Sequence, residues 1–253
     1  MNNHLIKQFL TPVWQDYLQL APQVAVIQTA LMQHNPILVN DHIAFRTFDI
    51  PEMDIATLEK HLISLEYKLL DNYYFPEKHL SACAYIHPDP SIAKIFLSQL
   101  HIDQLSEQSQ LIISDKLSTR ASLPSDNSIF YCGRCWGLPS WEEYLYLRQE
   151  SEYAAWLITL GFHANHFTLD MNAFNANSDR QLDWLGLIKL MESIHISMNP
   201  EGGIIKGSPE VLLEQASTLA DEIKIDFDQG SKSIKSCFYE FAKRFDQADG
   251  QEY

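Results

Sequence analysis

The chain is poor in cysteine. It has four (Cys83, Cys132, Cys135 and Cys237) in 253 residues, too few for a disulfide framework to carry a fold of this length. It is equally poor in basic residues, with 18 Lys plus Arg against 33 Asp plus Glu and a formal net charge of −15. Such a field repels phosphate backbones and anionic membrane surfaces, so neither nucleic acid nor membrane is an expected partner. No run approaches the roughly 18 consecutive apolar residues of a membrane-spanning helix. The opening Met1-Asn2-Asn3-His4-Leu5-Ile6-Lys7 lacks a basic stretch followed by a long apolar one, and a reduced, cytoplasmic protein is the expectation. Several catalytic signatures are missing as well. There is no His-Glu-x-x-His for a zinc protease, no G-x-S-x-G for a serine hydrolase and no G-x-x-x-x-G-K-[ST] or G-x-G-x-x-G, so Gly202-Gly203 reads as a turn.

What is present is 46% hydrophobic and 11% aromatic residues, enough for a substantial core. The pattern predicts an α+β chain read as a single domain over 1–253. Residues 1–36 form a helical lead-in, with apolar positions at helical spacing interrupted at Pro12 and Pro22. Residues 37–102 read as βαβββ: a strand over 41–48, a helix over 51–65, and strands over 67–75, 80–87 and 94–100. A connection over 103–161 carries a helix over 104–117, a long Pro- and Gly-containing loop, and one helix from Ser140 to a stop at Gly161. Residues 162–253 read as βαβββ again. A strand over 163–171 is followed by a helix over 178–195 capped by Asn177 or Ser178, then by strands over 211–216, 222–227 and 236–245. The repetition is one of architecture, without a convincing repeat of residues.

Among ten histidines, His4, His34, His79, His87, His101 and His195 fall in loops or at element ends and His61 on a helix flank, which predicts that most face solvent. His42 and His166 differ, because each lies near the start of the strand that opens one unit. Packed as pseudo-symmetric halves of one curved sheet, those strands can present both imidazoles to a single cation. His163 and His166, at odd separation in a strand, point to opposite faces, so only one turns inward. Glu240, an acid among aromatics in the last strand, is the candidate third ligand; an ion pair with Lys243 or Arg244 is the competing reading. Two His and one carboxylate suit non-haem Fe(II) with open positions. Arg46 follows His42 by four residues on the same face, roughly 13 Å along the strand, and could hold a carboxylate remote from the metal; an ion pair with Asp49 competes. Cys132-Gly133-Arg134-Cys135, a lone pair in a loop, reads as structural.

With these residues assembled, the chain resembles the 2-oxoadipate dioxygenase/decarboxylase family. The resemblance runs over nearly the whole chain and is carried by Val39-Asn40-Asp41-His42-Ile43-Ala44-Phe45-Arg46-Thr47-Phe48, Lys94-Ile95-Phe96-Leu97-Ser98-Gln99-Leu100, Ser151-Glu152-Tyr153-Ala154-Ala155-Trp156, Asn165-His166-Phe167-Thr168 and Phe238-Tyr239-Glu240-Phe241. It implies a vicinal-oxygen-chelate-like sheet of two βαβββ units, with His42, His166 and Glu240 as metal ligands and Arg46 binding the substrate carboxylate. It implies Fe(II) as cofactor, with Zn or Ni able to replace it in a purified sample, and a 2-oxo acid and O₂ as partners. The reaction implied is 2-oxoadipate to 2-hydroxyglutarate and CO₂, a step of lysine catabolism. The chain is shorter than characterised members and lacks C-terminal segments that help line their pocket, which bears on substrate identity. Two other functions fit the same fold: a metal-dependent glyoxalase-like hydrolase or isomerase, and a non-catalytic module that binds a small acid. The absence of His, Asp or Glu from 94–100 favours three ligands over four.

Overall fold

Two helices, α1 (Asn3–Leu20) and α2 (Gln23–Met32), open the chain in a computed structural model that describes residues 3–176, 178 and 181–245. The expected break at Pro12 does not occur, and α1 runs through it. A proline inside a helix forfeits one backbone hydrogen bond, and here Phe9, Val13 and Tyr17, all buried, hold the helix against the sheet on both sides of the missing bond. Then come β1 (Asn40–Phe48), α3 (Ile55–Ser64), β2 (Lys68–Phe75), β3 (Leu80–Ile86) and β4 (Lys94–Leu100), in the expected order, with the helix starting at Ile55 rather than at 51. Asp54 caps α3 by accepting the Thr57 N–H.

The connection holds α4 (Glu107–Ser118), α5 (Trp141–Glu150) and α6 (Glu152–Leu160). The single helix expected from Ser140 to Leu160 is thus two. Ser151 takes an extended backbone, closes α5 and caps α6 with its hydroxyl on the Ala154 N–H. Gly161, at φ +85°, ends α6 where any Cβ would run into the Gly133 backbone. The second unit comprises β5 (Ala164–Asp170), α7 (Met171–Ala176), α8 (Trp184–Ser193), β6 (Lys206–Ser208), β7 (Leu213–Ser217), β8 (Glu222–Phe227), β9 (Gly230–Lys235) and β10 (Phe238–Arg244). Helix α8 starts later than its periodicity suggests, because Asp183 is the cap, on the Gly186 N–H. Ser178 does not cap it, and Asn177 lies outside the described residues.

Eight strands form one mixed sheet in the order β2-β3-β4-β1-β5-β10-β7-β6. The two halves correspond: β1 is parallel to β4 as β5 is to β10, and β1 meets β5 antiparallel at the centre. The third expected strand of the second unit, 222–227, is not in this sheet. Together with β9 it forms a separate hairpin over α5, where Phe227 packs on Trp141 and Tyr144. The short β6 takes the sheet position instead, pairing with β7.

The superposable halves also reveal a residue repeat that reading the sequence misses. Phe75-Pro76-Glu77-Lys78-His79-Leu80 and Ser208-Pro209-Glu210-Val211-Leu212-Leu213 each make a single 3₁₀ turn between two strands. Each ends on a left-handed residue, His79 at φ 55° and Leu212 at φ 60°. No helix among the described residues is long and apolar enough to cross a membrane.

Candidate metal centre

The three central strands place one candidate ligand each. Cross-strand register sets His42 opposite Thr168, His166 opposite Ala44 and Phe238, and Glu240 opposite Thr168, so all three side chains rise from one face. One donor atom from each of His42, His166 and Glu240 lies within 4.8 Å of the other two. The rings of His42 and His166 are 5.5 Å apart at near right angles, and His166 Nε2 is 3.3 Å from Glu240 Oε2.

Two β-bulges aim these imidazoles. The pairing of β1 with β5 slips once at Asp41 and once at Asn165, the residues that precede His42 and His166. A bulge lets two successive side chains leave the same side of a strand. Asp41 Oδ1 therefore meets His42 Nδ1 at 2.7 Å, and Asn165 Oδ1 meets His166 Nδ1 at 3.1 Å. Each Nδ1–H donates to its neighbour's oxygen, which leaves both Nε2 atoms as lone pairs. Thr168 Oγ1, 3.0 Å from His42 Nε2, donates to one of them. The other faces a carboxylate oxygen, and two acceptors at that distance require a proton or a cation between them. This donor set fits a divalent metal of the kind held by two imidazoles and one carboxylate.

Electrostatics agree. Burial, with the nearby His42 and Arg46, pushes the His166 pKa well below the ordinary imidazole value, so the ring is neutral and ready to ligate. Burial raises the Glu240 pKa, against the opposing pull of His42. Burial alone would raise Asp41 too, but the Arg244 guanidinium and the His42 ring outweigh it and hold the carboxylate well below its usual range. Arg244 grips Asp41 with two bonds, Nε to Oδ2 at 2.6 Å and Nη2 to Oδ1 at 2.8 Å. Arg244 is thus spoken for by Asp41, and the competing reading of Glu240 as its ion-pair partner fails. Glu240 Oε1 instead accepts a hydrogen bond from Gln215 Nε2, leaving Oε2 for the cluster.

Neither Arg244–Asp41 nor Gln215 was legible as part of the site. An acid directly before a ligand histidine was the available signal for Asp41. Phe96 stands on β4 where Glu240 stands on β10, edge-on to His42 at 4.9 Å, so the first unit offers no fourth ligand there.

Because these outer groups orient the candidate ligands, Asp41→Asn is expected to weaken metal binding about 10- to 100-fold, read by chelator competition. The pH dependence follows from Glu240. A raised carboxyl pKa keeps a proton on the metal-free site above the ordinary 4.5, and metal must displace it. Affinity should fall as pH drops through that window, because protons compete with the metal for the donor atoms. The metal-free fold should lose stability as pH rises through the same window, since the unfolded carboxyl ionises first. Thermal melts with and without metal across pH give both signs.

Arg46 lies on the same face of β1. Its guanidinium carbon sits 4.9 Å from the ring centroids of both Tyr153 and Trp156, on α6. Both rings are pinned by their polar tips. The Thr47 N–H donates to Tyr153 Oη, whose own hydrogen goes to Ser98 O, and Trp156 Nε1–H donates to Ser236 O. Asp49 binds the Ile102 N–H and faces His101, so it is not the partner of Arg46. Among the described residues the guanidinium has no acid or carbonyl partner, and it opens onto a cavity of about 640 Å³ that it shares with His42, His166 and Glu240.

The other histidines sort as follows. His163 turns away from the cluster and binds Asp16 at 2.7 Å. His87, expected at the surface, is buried against Tyr67 and accepts the Asp89 N–H. Cys132 and Cys135 stand with their Sγ atoms 3.4 Å apart and are free thiols; burial pushes the Cys132 thiol up. Among the described residues no third donor joins them to form a metal group.

The sequence and the fold both have known relatives. The family model described as 2-oxoadipate dioxygenase/decarboxylase matches residues 6–135 and 133–250. The chloroplastic 2-oxoadipate dioxygenase/decarboxylase of Arabidopsis thaliana is 34% identical over 224 residues, covering 82% of this chain and 59% of the relative. The rice counterpart is 33% identical over 221 residues, covering 81% and 59%. The chain therefore spans 59% of the length of these curated plant relatives. Among solved structures, a Shewanella frigidimarina protein provisionally named a hydrolase superposes with a TM-score of 0.89 at 36% identity, covering 98% of this chain and 96% of that one. The hydroxyglutarate synthase of Oryza sativa, solved in complex with 2-oxoadipate, superposes with a TM-score of 0.82 at 27% identity, covering 97% and 82%. A glyoxalase-superfamily protein from Ralstonia eutropha, 21% identical with a TM-score of 0.78 and 94% and 82% covered, shares the fold. The sheet is thus the expected vicinal-oxygen-chelate type, and the chain belongs to the 2-oxoadipate dioxygenase/decarboxylase family.

Proposed function

We propose that the chain is an Fe(II)-dependent dioxygenase that decarboxylates a 2-oxo diacid, with 2-oxoadipate, O₂, 2-hydroxyglutarate and CO₂ as the balanced set of substrates and products. The observation that carries this reading is the convergence of two imidazole lone pairs and one carboxylate beside an arginine that, among the described residues, packs on two rings and has no acid partner. His42, His166 and Glu240 would hold the metal, which when bound supplies a chelation point for the 2-oxo acid and the redox chemistry with O₂.

The remaining work falls to side chains of this chain. Arg46, its plane fixed between Tyr153 and Trp156, receives the distal carboxylate as a bidentate partner and sets the distance of the 2-oxo end from the cluster. Phe96 and Phe238 pack on the rings of His42 and His166 and exclude water around them. No side chain need act as a nucleophile. The site draws on both βαβββ units, which is the reason to read the chain as one functional domain.

The test is anaerobic loading with Fe(II) followed by oxygen uptake and product analysis across 2-oxo diacids of increasing length. Stoichiometric O₂ consumption and CO₂ release with 2-oxoadipate support the reading. Tight acid binding without O₂ uptake would instead mark a binding module, and turnover without O₂ a hydrolase or isomerase.

A further inference from the structure

The two equivalent 3₁₀ turns both line the cavity, Phe75, Lys78 and Leu80 from one and Val211, Leu212 and Leu213 from the other, with Lys78 and Val211 exposed. At the third position of the shared Pro-Glu turn the halves differ: lysine in the first, valine in the second. Lys78 is exposed, and among the described residues it has neither an ion pair nor a hydrogen bond. Of the residues lining this cavity the cations are Arg46, Lys78 and Arg244, and the acid is Glu240. Arg244 is neutralised by Asp41.

Charge counting separates the roles of the other two cations. Two neutral imidazoles, one carboxylate and a divalent metal sum to +1, and Arg46 brings the interior to +2, which matches a doubly charged diacid. Lys78 is surplus to that balance and sits at the rim. The protein as a whole carries −15, so a dianion approaches it against a net repulsive charge.

We propose that Lys78 is the steering cation of this site: it recruits dianionic acids to the mouth and biases the cavity toward substrates with two carboxylates. This rests on the reading of the ligand as a 2-oxo diacid. Rim charges act at a distance and are screened by salt, whereas contacts made inside the cavity are screened far less.

The experiment is titration calorimetry on metal-loaded protein under argon, with 2-oxoadipate and with glutarate, which is also a dianion but has no 2-oxo group. Salt is set at about 20 mM and about 300 mM to lengthen and then shorten the screening distance. Lys78→Glu is expected to weaken both ligands about five- to tenfold at low salt and less than about twofold at high salt, and Lys78→Arg to restore affinity. Lys224→Glu, on the exposed face of β8 away from the cavity, makes the same change in net charge and is expected to stay within about twofold.

Equal behaviour of Lys78→Glu and Lys224→Glu, or a loss that salt does not reduce, overturns the steering role while leaving the dioxygenase reading intact. If wild type binds 2-oxoadipate no better than glutarate but both depend on Lys78, the 2-oxo acid reading fails and the steering role stands. If neither dianion binds, both fall.

Discussion

His166→Ala is expected to abolish oxygen uptake and to weaken metal binding by more than about 100-fold, beyond the effect of removing an outer-sphere partner. The ring supplies one of three donors, and the two that remain, His42 and Glu240, sit on strands separated by β5 itself. They still face one position but supply two donors instead of three. Because His166 is already neutral, its loss removes a ligand without removing a charge, and the fold should keep its melting temperature within a few degrees when no metal is present. Metal analysis after anaerobic loading, paired with an oxygen electrode, reads both outcomes. A variant that retains a full complement of metal and undiminished uptake would remove His166 from the centre.

Arg46→Met is expected to lower kcat/KM for 2-oxo diacids about 100- to 1000-fold, the loss of a charge-assisted bidentate contact worth about 3–4 kcal/mol. Turnover of 2-oxo monoacids of the same length should change less than about threefold, and metal content should not change at all. Methionine keeps most of the apolar bulk between the rings of Tyr153 and Trp156. Stability should change little, because the lost contacts of the guanidinium with Tyr153 and Trp156 are offset by removing a half-buried cation that has no acid partner among the described residues. A large drop in melting temperature, or a loss of metal, would make Arg46 a structural residue. An equal loss for monoacids and diacids would remove its role in recognition.

Much of the first unit was legible because its strand-like runs are rich in β-branched and aromatic residues, turn residues separate them, and its helix carries an apolar stripe. The convergence of His42, His166 and Glu240 was legible because an acid among aromatics and two histidines at equivalent strand starts are each costly to bury unless something binds them. What could not be read has a physical pattern. The break between α5 and α6 depends on one extended residue, Ser151, in a sequence helical on either side. Pro12 is carried by tertiary packing that overrides local propensity. The strand over 222–227 has the right alternation for the main sheet, but alternation does not say which sheet. The bulges at Asp41 and Asn165 leave no compositional mark, since a bulge is defined by its partner strand. Gln215 and Arg244 reach the site only through long-range pairing, and nothing local to either residue announces it.

The antiparallel pairing of β1 with β5 is where the two halves of the molecule join, and His42 and His166 stand on opposite sides of that join. An ion bound there would act as a rivet, tying the duplicated halves at their midline, so that a tilt of one half would be felt first as a change in the grip on the ion.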